Sequence, residues 1–153
     1  MKLLLTSSGI TNKSLADALK KLVKGEIRIA FIPTAANVED GDKGWLVRNY
    51  NECGKLGSVD IVDISSLDKG VWLPRLRKAN VIFIGGGNTF HLMRWVVKSG
   101  LSGELPNLLR DRVYVGISAG SIITNPDLAL TNSKAIYGED LNETRNMKAL
   151  GYV

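Results

Sequence analysis

The sequence predicts an α/β fold in which a mostly parallel sheet is covered by helices on both faces, and three observations point there. Apolar runs alternate with helix-periodic stretches along the chain, the pattern of successive βαβ units. The runs, Val81-Ile82-Phe83-Ile84 above all, are continuously apolar, as strands buried on both sides must be. Two glycine-rich turns, Gly85-Gly86-Gly87-Asn88 and Gly116 to Gly120, directly follow such runs, where open parallel sheets bind ligands. If those two strands are parallel neighbours, the turns line one crevice.

The elements follow in order. Leu3 to Leu5 is the first strand, and Gly9 with Asn12 marks its exit. Ser14 to Val23 has amphipathic helix periodicity and is closed by Gly25. Ile27 to Ile32 is the second strand, stopped by Pro33. Gly44 to Leu56 reads as a helix with Gly54 as its C-terminal cap, and Val59 to Ile64 as the third strand. A short connection with Trp72 and Pro74 leads through Leu76 to the fourth strand, Val81 to Ile84. Helices are expected over Thr89 to Lys98 and Gly103 to Leu109, then a fifth strand from Val113 to Ile117 and a helix start at Ser121-Ile122-Ile123. Asn125-Pro126-Asp127 and Thr131-Asn132-Ser133 are turn-like, and Tyr137 to Asn146 is polar and acidic. Met147 to Val153 is apolar again, as at the start of a further strand, so the domain reads as one unit lacking its C-terminal part.

Composition narrows the function classes. The 153 residues suit a single domain, and 44% hydrophobic with 23% charged residues is ordinary for a globular chain. No apolar run approaches the ~18 residues of a membrane span, and the N-terminal run is too short for a secretion signal, so a cytoplasmic location is expected. The lone Cys53 allows no intrachain disulfide and reads as a half-buried thiol. One histidine and no clustered carboxylates make a metal site unexpected, and no cofactor motif is present. The net charge of +5 is dispersed along helix faces with no aromatic-interleaved stripe, so nucleic acid is not the expected partner.

The chemistry concentrates in the two glycine turns. Gly116-Ile117-Ser118-Ala119-Gly120 is a G-x-S-x-G between a strand and a helix, the context in which a serine is held strained and exposed as a nucleophile. The frame selects Ser118 over Ser121. Gly85 to Phe90 departs from the dinucleotide pattern at Phe90 and contains no phosphate-loop lysine. Its better use is to aim backbone N–H groups at an oxyanion, from Gly86 or Gly87, with the Ala119 N–H as second donor. Asn88 reads as a helix cap or, with Thr89 and His91, as a substrate contact. His91 is the only imidazole and is expected at the surface or lining the substrate rather than acting as the base.

Ile84 to Phe90 followed by Gly116 to Ser121, together with Ile32-Pro33-Thr34-Ala35, resembles the peptidase E family of aspartyl dipeptidases, relatives of cyanophycinase. The resemblance runs from the first strand to the last residue. It implies a three-layer α/β/α sandwich like the class I glutamine amidotransferases, with serine in place of their cysteine. It also implies hydrolysis of short peptides after an N-terminal aspartate through an acyl-enzyme on Ser118, with a small peptide as the partner. The family's histidine follows an apolar segment like Ala149-Leu150-Gly151, which places it just beyond Val153, and its substrate-reading arginine lies further downstream still. Its acidic triad member falls on Glu139 or Asp140, with Asp127 and Glu143 as further candidates. Two other expectations remain open: an inactive binding module of the same fold, and a homo-oligomer formed through an exposed sheet edge.

Overall fold

The computed structural model describes residues 1–128 and 147–153. Five strands form one sheet: β1 (Lys2–Thr6), β2 (Arg28–Ile32), β3 (Ser58–Ile61), β4 (Val81–Ile84) and β5 (Val113–Ile117). Their spatial order is β1-β5-β4-β2-β3, and all four pairings are parallel. The helices are α1 (Lys13–Leu22), α2 (Gly44–Gly54), α3 (Lys69–Lys78), α4 (Thr89–Lys98), α5 (Leu101–Leu108) and α6 (Ala119–Ile122), with a 3-10 turn at Thr34–Ala36.

The order of travel decides which helix lies on which face. A right-handed crossover places its helix on opposite faces when the chain moves across the sheet in opposite directions. From β1 to β2 to β3 the chain moves one way, and α1 and α2 lie together. From β3 back to β4 and β5 it moves the other way, and α3, α4 and α5 cover the second face. The strand residues sort with a period of two. Ile29, Phe31, Val81, Phe83, Val113, Val115 and Ile117 pack with Leu19 and Cys53 in one core layer. Ala30, Ile32, Ile82, Ile84 and Tyr114 pack with Trp72, Phe90, Leu92 and Leu105 in the other. The result is the expected three-layer α/β/α sandwich.

Several local expectations are corrected. The connection through Trp72 and Pro74 is a helix, α3, although Pro74 lies inside it. Proline and glycine together cost this helix about 4 kcal/mol of propensity. Burial of Trp72, Leu73 and Leu76 contributes about 1.5–3 kcal/mol each, so packing wins over propensity. Gly54 is the last residue of α2 rather than its cap: the capping position is Lys55, right-handed, with its N–H on the Asn51 carbonyl. Strand β3 ends at Ile61, because Asp63 turns the chain by accepting the Ser65 N–H at 3.0 Å. Cys53 is fully rather than half buried, and burial, with the Glu52 carboxylate adding, pushes its thiol up to about 12.

Met147 to Val153 does not enter the sheet. It folds back on the segment after α6 through one antiparallel bridge, Asp127 to Lys148, and through N–H donations from Leu150 to Ile123 and from Tyr152 to Thr124. The apolar residues of this segment pack on the core from outside: Met147, Ala149, Leu150 and Tyr152 are partly buried against the second layer. Among the described residues, no helix is long and apolar enough to cross a membrane.

Candidate active site

The site lies where connections leave neighbouring strands toward opposite faces. β1 exits toward α1 on one side, while β4 and β5 exit toward α4 and α6 on the other, and such a divergence opens a crevice. Register pairing of Ile84 with Gly116 brings the two glycine turns side by side. A Cβ added at Gly86 would stand 3.4 Å from the Ser118 Cβ, so the turns share one wall as the sequence suggested. That wall bounds an open cleft of about 870 Å³, which also receives Ser7, Ser8 and Thr11 after β1 and the face of α2 carrying Trp45, Arg48 and Asn49.

Ser118 is the one non-glycine described residue with positive φ, at φ 46°, ψ −108°. Such a backbone costs about 1–3 kcal/mol and persists only where surrounding contacts enforce it. The contacts are identifiable. The Ser118 N–H donates to the Thr6 carbonyl at 2.9 Å, tying the elbow to β1. Beneath it, the buried Tyr114 hydroxyl donates to the Gly120 carbonyl at 2.5 Å. Ser121 Oγ donates to the Thr6 carbonyl at 2.8 Å and accepts the Thr6 N–H at 3.1 Å, a clamp that commits Ser121 to structure. Gly120 permits the close approach of α6 to β4, since a Cβ there would lie 2.2 Å from the Ile84 carbonyl oxygen. Ser118 itself is exposed at the cleft.

The second turn is fixed from the other side. The Gly85 N–H donates to Ile32 and the Asn88 N–H to Ala35, at 3.0 and 2.8 Å. These bonds leave the intervening N–H groups of Gly86 and Gly87 without a backbone partner among the described residues. Gly87 has φ +130°, and a Cβ on it would meet the Ala35 carbonyl oxygen at 2.3 Å, so only glycine fits. The Ala35 turn is in turn held by Asp63, whose carboxylate accepts from Thr34 Oγ1 at 2.7 Å and Asn37 Nδ2 at 2.8 Å. Burial raises the Asp63 pKa, but hydrogen bonds from Ser65, Thr34 and Asn37 together outweigh it and hold the group at about 2.

The remaining expected residues separate. Asn88 is buried and caps α4, its Oδ1 accepting the His91 N–H at 2.8 Å. Thr89 is buried, and His91 is half-buried with its ring edge-on to Trp95 at 6.5 Å. None of the three lines the cleft with Ser118. Asp127 is exposed and bridges Lys148. Glu139, Asp140 and Glu143 lie outside the described residues. Sequence reasoning missed the cleft-lining Glu39, in the loop before α2, and Trp45, Arg48 and Asn49 on α2, because these segments precede both motifs and the side they face is set by the crossover. Ser7 and Ser8 were findable: they follow a strand of the same sheet at its carboxyl end.

Comparison with known proteins adds the family. Residues 3–153 match the model of Peptidase family S51. The chain belongs to that family. It is 34% identical over 132 residues to an uncharacterized peptidase of Listeria monocytogenes, covering 82% of this chain and 61% of that protein. It is 30% identical over 122 residues to Peptidase E of Streptomyces coelicolor, covering 78% of this chain and 47% of that protein. The S51 chain thus spans about half to three-fifths of the length of these curated relatives. Among solved structures, that of a candidate peptidase E protein from Listeria monocytogenes superposes with a TM-score of 0.80 at 27% identity, over 100% of this chain and 76% of that one. A peptidase from an acI-B1 Actinobacterium, at 19% identity and a TM-score of 0.69, covers 98% of this chain and 64% of that one and shares the fold.

Proposed function

We propose that the chain is a serine peptidase of the peptidase E type, acting on short peptides, N-terminal aspartyl dipeptides among them, through an acyl-enzyme on Ser118. The observation that carries this reading is the strained, exposed Ser118 at the end of β5, facing a cleft beside Gly86. In the proposed reaction Ser118 Oγ attacks the scissile carbonyl carbon and passes its proton to a base. The carbonyl oxygen becomes an oxyanion that accepts from the Ala119 N–H and from Gly86 or Gly87. The amine leaves with the proton returned by the base, and water then releases the acid by the same steps. Glu139 or Asp140 is the proposed orienting acid. Asn88 supports the site indirectly, by capping the helix that follows the donor turn.

The base is the weak member of this constellation. The sequence holds one histidine, His91, which does not line the cleft with Ser118. Exogenous imidazole in solution is a substitute. A fluorophosphonate probe is expected to modify Ser118 slowly, faster with added imidazole, and not at all in Ser118→Ala. Absence of any Ser118 adduct in a folded chain, with imidazole present, would refute the proposal.

A further inference from the structure

The cleft carries four charged side chains, and two of them neutralise each other. Lys55 Nζ is 2.6 Å from Glu52 Oε1 at the end of α2. The other two are Glu39 and Arg48. Glu39 is half-buried, and its Oε1 is buried with no hydrogen-bond partner. Burying an acceptor without a donor is unfavourable, so a site that keeps one is short of a donor. Arg48 is exposed at the cleft and makes no ion pair or hydrogen bond among the described residues. Asp42, on the other side of Gly44, accepts the Gly44 N–H at 2.8 Å, and Glu52, one turn along α2, is paired with Lys55. The cleft beside the nucleophile thus presents one uncompensated acceptor carboxylate and one uncompensated guanidinium.

We infer that Glu39 and Arg48 are the specificity residues of this cleft, Glu39 taking the N-terminal ammonium of a short peptide and Arg48 a carboxylate of the same peptide. The inference rests on the peptidase reading above and adds to it the two residues of this cleft that read the charges of such a peptide. An ammonium brings three donors to a carboxylate that has none, and a guanidinium matches a carboxylate with two parallel N–H groups. Glu39 lines the cleft, and the terminal torsion of a glutamate is soft, so a modest rotation turns its unpartnered oxygen toward a bound ammonium. Trp45 and Ile117 supply apolar wall for the peptide's carbon skeleton. The carboxylate read by Arg48 belongs either to the C-terminus or to an acidic side chain, and the test separates them.

The probes are Asp-Leu, N-acetyl-Asp-Leu, Asp-Leu amide and Asn-Leu, each titrated calorimetrically into the intact chain. Glu39→Gln is expected to weaken Asp-Leu about tenfold while barely changing N-acetyl-Asp-Leu, whose ammonium is already gone. Arg48→Ala is expected to weaken Asp-Leu by a similar, roughly tenfold, factor. Of the amide and Asn-Leu, the one that Arg48→Ala no longer affects lacks the carboxylate that Arg48 reads. Asp-Leu affinities within about twofold of wild type in both variants would overturn the inference, as would failure of the intact chain to bind Asp-Leu at all. Probe modification of Ser118 in the same variants keeps the two readings apart: adducts without charge selectivity sink only the specificity residues, whereas no adduct sinks the nucleophile as well.

Discussion

At the scale of single residues, the elbow is a trade of backbone strain for exposure. Ser118 is held at φ 46° by the Thr6 carbonyl, the Tyr114 hydroxyl and the Ser121 clamp, none of which uses its own side chain. Ser118→Gly should therefore stabilise the fold by about 1 kcal/mol, the relief of strain less glycine's extra chain entropy, whereas Ser118→Ala keeps the strain. Urea denaturation of the three proteins checks this; equal midpoints for glycine and alanine would remove strain from the account. The G-x-S-x-G spelling was legible because its glycines and short side chains are what a tight strand-to-helix turn needs. Glu39 and Arg48 were not legible, because nothing local marks an isolated charge as facing a cleft rather than bulk water.

At the scale of elements, the glycine turn after β4 depends on a loop more than twenty residues upstream. Asp63 after β3 holds the Thr34–Ala36 turn, which holds Asn88 and closes on Gly87. Asp63→Ala should cost about 1–2 kcal/mol, a charged hydrogen-bond network discounted for partial exposure. The carboxyl falls from 3.8 to about 2 on folding. Its contribution is accordingly complete above the unfolded value and lost as pH falls toward 2, so wild type and variant should converge in stability across that window. A gap that stays constant down to pH 2 would assign the effect to packing instead. Helix α2 makes a separate prediction: Cys53, buried and with its thiol pushed up to about 12, should resist a disulfide reagent at pH 8 until the chain is unfolded, when one thiol appears. Helix α3 shows the limit of propensity, since Gly70 and Pro74 argue locally against a helix that the burial of Trp72, Leu73 and Leu76 makes favourable.

For the whole molecule, the proposed mechanism sets a rate: turnover of Asp-Leu by these 153 residues should be slow, because their single histidine, His91, does not line the cleft with Ser118 and a serine without a base in reach is orders of magnitude less reactive. Added imidazole should raise it, and fast turnover without imidazole would mean that a base other than His91 reaches Ser118. The sequence by itself determined the alternation of strands and helices, the parallel sheet and the tight strand-to-helix turn that carries Ser118. Apolar continuity, turn glycines and the elbow spelling are local properties, each readable within a window of ten residues. Only the tertiary structure decided the strand order β1-β5-β4-β2-β3, and with it the faces taken by the helices, the partnership of Gly86 with Ser118 and the charged wall opposite. Those depend on contacts between residues such as Thr6 and Ser118, more than a hundred positions apart, whose mutual approach is fixed by crossover handedness and core burial rather than by anything near them in the chain.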